Sequence, residues 1–161
     1  QSEPFTILRD AWENGSRELP VMAEQEAKRR IGQIHSPVLS NRNPPYGLVG
    51  GLYDALRDSE GKAYAVSCAE AGAAGRLFES LEGCDLDAAA EVALAGLIRA
   101  VEAGKVRRRE SVLLNLTGGG ARKLVRESRR TRVHPDVEIP GPGIGESQLA
   151  ESLNLLQGVQ A

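Results

Sequence analysis

Residues 88–103 constrain the fold of this chain more than any other segment. Between Ala88 and Ile98 there is one charged side chain, Glu91. Leu94, Leu97, Ile98 and Val101 recur at i, i+3, i+4 and i+7, which predicts a helix. A helix apolar around most of its girth is buried on several sides, so it demands packing partners. Asp85 or Asp87 is placed to cap its start, and Gly104 to end it. Glu82 and Asp85 are accordingly read as a helix end and a cap. With 161 residues the chain has the length of about one domain, so the question is what else it can supply to cover this helix.

The remaining periodicity offers helices more readily than strands. Ser2 and Pro4 can open a helix that carries Phe5, Leu8, Ala11 and Trp12 inward and stops at Asn14-Gly15. A second runs from about Met22 to Ile34, with Glu24, Gln25, Lys28 and Arg29 on its polar face and Pro37 beyond it. After the turn-rich Ser40–Tyr46 loop, Leu48, Val49, Leu52, Tyr53 and Leu56 line one helical face, interrupted by Gly47, Gly50 and Gly51. Ser67-Cys68-Ala69-Glu70 is a capping box that opens a helix to about Glu82, closed by Gly83. Two segments read as strands: Ala63–Val66, and Ser111–Leu116, whose continuous apolar run suits a central parallel strand covered on both faces. A basic helix follows from about Ala121 to Arg130, then Pro140–Gly145 reads as a linker and Gln148–Leu156 as a peripheral helix.

Alternating helices and strands predict the α/β class. Two parallel strands alone make no stable sheet. The chain therefore reads as part of a larger enzyme that supplies the other strands; the alternative is a mostly helical protein. The start at Gln1, with no signal-peptide pattern, also reads as a fragment.

Composition narrows the function classes. No run approaches the length of a membrane span. Two cysteines, Cys68 and Cys84, without metal-ligand spacing exclude a disulfide scaffold and a zinc site, and suit free thiols in a reducing cytoplasm. His35 and His134 have no neighbouring ligands and read as surface residues. The overall charge of −2 hides a segment, 105–132, that is net +8. That segment is either a solvated face or a phosphate- or nucleic-acid-binding surface on a small module.

The chemistry-bearing signal is a strand, then Thr117-Gly118-Gly119-Gly120, then a helix. Glycines let backbone amides approach an anion or a flat ring, and a helix start adds partial positive charge. Thr117 places a hydroxyl at the strand's carboxyl end, where open α/β sheets bind ligands. The loop matches neither the P-loop nor the dinucleotide fingerprint, and a ligand-free tight turn is an equally good local reading.

In order along the chain, Asn41-Arg42-Asn43-Pro44, Gly61–Ser67, Leu81-Glu82-Gly83 with Ala88-Ala89-Ala90 and Leu94–Leu97, and Leu113–Gly120 resemble segments of threonine synthase-like enzymes. These belong to the fold type II pyridoxal phosphate group. In that group the corresponding segments read Arg-Ile-Gly-Asn-Pro, Gly-Gly-x-Val-x-x-Val-Ser, Glu-Gly with an Ala-rich helix, and Val-Leu-Thr-Gly-His-Gly. The family's Glu-Pro-Ala-Ser turn is Asp85-Leu86-Asp87-Ala88 here, and its loop histidine is Gly119. Ser40–Leu56 together with Leu114–Gly120 resembles most the cysteate synthase branch. The resemblance implies a three-layer α/β/α fold like the tryptophan synthase β-subunit, with a mostly parallel sheet left incomplete by this chain. Residues 1–137 would be the carboxyl-terminal portion of the catalytic domain, and 138–161 a linker and tail. It implies pyridoxal 5'-phosphate as cofactor and a β-replacement of phosphate by sulfite on O-phospho-L-serine, the threonine synthase reaction being the alternative. Thr117 would face the pyridine nitrogen, with Asn115, Gly118 and Gly119 at the ring's edge. The lysine that carries the cofactor is not among Lys28, Lys62, Lys105 and Lys123, so the partners implied are the missing amino-terminal portion and a second copy, with no nucleic acid and no membrane.

Overall fold

The computed structural model describes residues 1–128, 133–135 and 145–158. They fall into two units, Gln1–Glu127 and Ser128–Ala161. In the first, helices α1 (Ile7–Glu13), α2 (Glu24–Ile31), α3 (Leu52–Asp58), α4 (Cys68–Glu82), α5 (Ala88–Glu102) and α6 (Ala121–Glu127) are joined by long irregular segments, with one 3-10 turn at Pro37–Leu39. The second holds α7 (Glu146–Gly158), within which the expected Gln148–Leu156 helix lies. The expected linker over 140–144 and the end of the basic helix at Arg129 and Arg130 lie outside the described residues.

α4 begins as its capping box requires: the Ser67 hydroxyl accepts from the Glu70 amide, and the Glu70 carboxylate accepts from the Ser67 amide at 2.7 Å. Gly83 ends it with φ +66°, a left-handed conformation that costs glycine nothing. α4 and α5 form the principal helix pair of the described residues. Small side chains bring them close: Ala71 and Ala74 of α4 and Val92 and Ala95 of α5 are buried together with Val66. This corrects the expectation for α5. It is covered along an alanine-rich face, whereas Leu94, Leu97 and Ile98 are half-buried and Val101 stays 50% exposed.

A second cluster joins Phe5, Ile7 and Ile34, with Leu8, Leu19, Met22 and Ile31 packed around it. Leu39 touches both clusters. Below them, Tyr46 is buried and its hydroxyl donates to the Ser16 carbonyl at 2.9 Å. Arg17 pairs with Asp54, lies over the Tyr53 ring and donates to the Gly47 carbonyl at 3.2 Å, fastening the segment after α1 to α3 and to the chain that follows the two prolines.

Three expected boundaries move. α1 starts at Ile7, not near Ser2, because the backbone ahead of it pairs elsewhere: Glu3 N donates to Val66 O, and Val66 N to Gln1 O. α2 ends at Ile31. α3 starts at Leu52, with Gly50 in a turn at φ +74° and Leu48 and Val49 left exposed.

The expected sheet is the main departure. Among the described residues there is no strand ladder, only a parallel bridge between Ser2 and Val66 and an antiparallel one between Leu86 and Gly119. Residues 63–66 and 111–116 are not helical, and no described hydrogen bond joins the backbone of 111–117 to another segment. A strand exists only through a partner, and the described residues place none beside Ser111–Leu116.

Candidate functional site

The Thr117–Gly120 loop is held by a strap, residues 85–87, that precedes α5. Gly120 N donates to Asp85 O at 2.7 Å, and Asp87 N to Gly118 O at 3.1 Å. Leu86 bridges Gly119. Gly119 is required by this contact, since a Cβ there would lie 3.1 Å from Leu86 Cα and nearer still to the Asp85 carbonyl; a Cβ on Gly118 would meet only the exposed Asp87 side chain, 2.9 Å from its Cγ. A side chain at Gly119 would push the loop off the strap.

The Asp85 side chain is 4% exposed, and both its oxygens are engaged. Oδ2 accepts from the Arg122 amide at 2.9 Å and Oδ1 from the Lys123 amide at 3.0 Å. Asp85 therefore satisfies the free amides at the start of α6. The Arg122 and Lys123 amides hold its carboxyl below the usual carboxylate range, against the opposing effect of burial. This corrects two expectations. Asp85 serves α6, while Asp87 occupies the N-cap position of α5 and makes no side-chain cap bond. The basic helix start is not left open to an outside anion, because an internal carboxylate already takes it. Arg122 also pairs with Glu79 of α4 at 3.0 Å, so part of the basic segment is neutralised within the unit.

Asn115 and Thr117 lie at the outer edge of this loop, exposed, and neither side chain has a hydrogen-bond partner among the described residues. The free groups offered here are thus a hydroxyl and a carboxamide, both neutral. Such a pair can hydrogen-bond a neutral polar group and brings no charge to it. Gly118 and Gly119 sit beside them with their Cα atoms against the strap.

His35 is not a plain surface residue. It is half-buried, and its Nε2 lies 2.5 Å from Glu91 Oε2 across the α4–α5 pair, while its amide donates to the buried Ser2 hydroxyl. No sequence spacing announces this contact, nor that between Asp85 and α6, because both are long-range. The Asn41–Tyr46 loop, which carries part of the family resemblance, borders an open cleft of about 370 Å³ lined by Phe5, Leu19, Met22, Arg42 and Asn43. Among the described residues no group of His, Cys, Asp or Glu is arranged to hold a metal, and no helix is long and apolar enough to cross a membrane.

No protein-family model and no solved structure matches the chain. Curated proteins do. The chain is 42% identical over 150 residues to the cysteate synthase of Methanosarcina acetivorans, an alignment covering 92% of this chain and 36% of that one. It is 43% identical over 145 residues to that of Methanocella arvoryzae, covering 89% and 34%. It is 46% identical over 128 residues to that of Methanosphaerula palustris, covering 79% and 30%. The chain thus spans about a third of the length of these curated relatives.

Proposed function

On the premise that the chain is a relative of the archaeal cysteate synthases, we propose that it is the carboxyl-terminal part of a pyridoxal phosphate-dependent transferase that makes L-cysteate. In this reaction the Cβ–O bond of O-phospho-L-serine breaks, phosphate leaves, and sulfite forms the new Cβ–S bond. The identity over some nine-tenths of the chain supports the family's reaction over a nucleic-acid-binding module. The observation that carries the site is the unpartnered Thr117 hydroxyl on a loop whose glycines and neighbouring helix start are already committed to the 85–87 strap.

Bound pyridoxal phosphate supplies an electron sink for the substrate's α-carbon. Thr117 Oγ1 would offer the ring nitrogen a neutral partner. A carboxylate there would hold the nitrogen protonated; a hydroxyl does not. A neutral hydroxyl at this position would favour loss of a β-substituent over chemistry that needs a protonated ring. Asn115, Gly118 and Gly119 would border the ring's edge. Asp85 is unsuited to protonate the nitrogen, because backbone amides occupy both its oxygens.

The same reading accounts for the missing sheet. Leu113 is 96% exposed and Val112 49%, in a segment whose backbone has no partner among the described residues. We assign 111–116 and 63–66 to strands of a mostly parallel sheet in a three-layer α/β/α fold. The other strands, and the lysine that carries the cofactor, come from the two-thirds of the relatives' length that this chain does not span.

The test is to assay the complete polypeptide with O-phosphoserine plus sulfite and with O-phosphohomoserine. Cysteate formation supports the reading; turnover of O-phosphohomoserine alone overturns it in favour of threonine synthesis. In the 161-residue chain alone, borohydride is expected to fix no stoichiometric pyridoxal phosphate on Lys28, Lys62, Lys105 or Lys123.

A further inference from the structure

We propose that Asp85 is a positioning residue for Thr117, an inference that rests on the cofactor reading above. The Asp85 carboxylate, 4% exposed, is the central tie between the 85–87 strap and the segment that follows Thr117. Its two oxygens fix the first turn of α6, and its carbonyl fixes Gly120. Asp87 N then closes the strap on Gly118 O, the residue next to Thr117. Four hydrogen bonds between 2.7 and 3.1 Å therefore set the path of 118–123. Thr117 makes none itself. In this chain its hydroxyl is placed from its carboxyl side, because the backbone of 111–117 is unpaired among the described residues; in the complete sheet the 111–116 strand would fix its amino side and the Asp85 bonds its carboxyl side.

The arrangement has a second consequence. Replacing the carboxylate by a group that accepts no hydrogen bond frees two amides and removes the negative charge that faces Arg122 Nε at 3.6 Å. The loop tip then carries excess positive character beside the hydroxyl meant to meet a neutral nitrogen. Asp85 thus governs both where Thr117 stands and how neutral its surroundings are. Asn keeps one acceptor oxygen and the shape of the side chain but turns an NH2 donor toward the second amide and removes the charge, so it is expected to restore only part of the placement.

The experiment uses Asp85→Ala, Asp85→Asn, Thr117→Val and, as a stability control, Val92→Ala in the α4–α5 core. In the 161-residue chain, hydrogen exchange at the Arg122 and Lys123 amides is read directly. Asp85→Ala should speed both about tenfold or more, Asp85→Asn should speed one of the two and leave the other less affected, and Val92→Ala should not act selectively. In the complete, cofactor-loaded polypeptide, the cofactor's absorption band and its dissociation constant are read. Asp85→Ala is expected to reproduce the band shift of Thr117→Val and to weaken cofactor retention about tenfold, with Asp85→Asn between Asp85→Ala and wild type and Val92→Ala unshifted. If Thr117→Val shifts the band and Asp85→Ala does not, the positioning role is overturned and the cofactor reading survives. If Thr117→Val leaves the band unchanged, the cofactor reading fails and the positioning role falls with it. If Val92→Ala shifts the band as much as Asp85→Ala, the effect is general destabilisation and the proposal is overturned.

Discussion

Gly75→Ala sets two effects of known size against each other, and the geometry of the α4–α5 pair decides which wins. Alanine is the better helix former by about 1 kcal/mol, so on propensity alone the substitution stabilises α4. A Cβ at this position, however, would lie 2.8 Å from Glu91 Cγ and nearer still to its carboxylate. Glu91 has nowhere to retreat without giving up His35 Nε2, 2.5 Å away, in a pair whose side chains are 19% and 15% exposed. Overpacking costs about 1–3 kcal/mol, and losing a hydrogen bond to a charged group about 1.5–3. The net expectation is a loss of about 2–3 kcal/mol, measured by urea unfolding followed by circular dichroism. A double-mutant cycle separates the terms. With Glu91→Ala already in place the crowding is gone, and Gly75→Ala should then stabilise by up to about 1 kcal/mol, a coupling of about 3 kcal/mol. If Gly75→Ala stabilises the unmodified chain, the helices do not meet at this point, and the packing argument for the α4–α5 pair is wrong.

Other perturbations read other parts of the structure. Hydrogen bonds from Arg29 and then Arg30 lower the Glu26 pKa from 4.5 to about 2. Because the folded value is depressed, this contribution to α2 is full above about pH 4.5 and is lost as pH falls through about 2; a carboxyl titration of Glu26 by NMR with a midpoint near 4.5 would contradict it. Asp85 follows the same sign, so α6 is expected to stay docked at neutral pH and to come free on acidification below the usual carboxylate range, visible as faster exchange of the Lys123 amide. Tyr46→Phe deletes the bond to Ser16 O inside a buried cluster and should cost about 1 kcal/mol of stability in the same urea assay. Leu113→Ser should change the stability of the 161-residue chain by less than about 0.5 kcal/mol, since Leu113 is 96% exposed. In the complete polypeptide it should cost about 2 kcal/mol or more if the segment is a buried strand; equal small effects in both would refute the sheet assignment.

Local chemistry settled those parts of the molecule whose causes lie within a few residues. Ser67 and Glu70 close a capping box, Gly83 turns left-handed after Glu82, and the helices over 68–82 and 88–102 stand within a residue or so of where their periodicity puts them. The order of the motifs along the chain carried the family likeness for the same reason, since it needs no knowledge of contacts. Only the tertiary structure decided which face of α5 is covered, because alanines that read as neutral filler let α4 approach while the leucine stripe remains half-open. It also decided where the acids go. Asp85 bonds amides 37 and 38 residues away, and Glu91 meets a histidine 56 residues before it. A strand is the extreme case: Ser111–Leu116 has the side chains of one, yet pairing is a property of two segments, and a sequence can state only its own half.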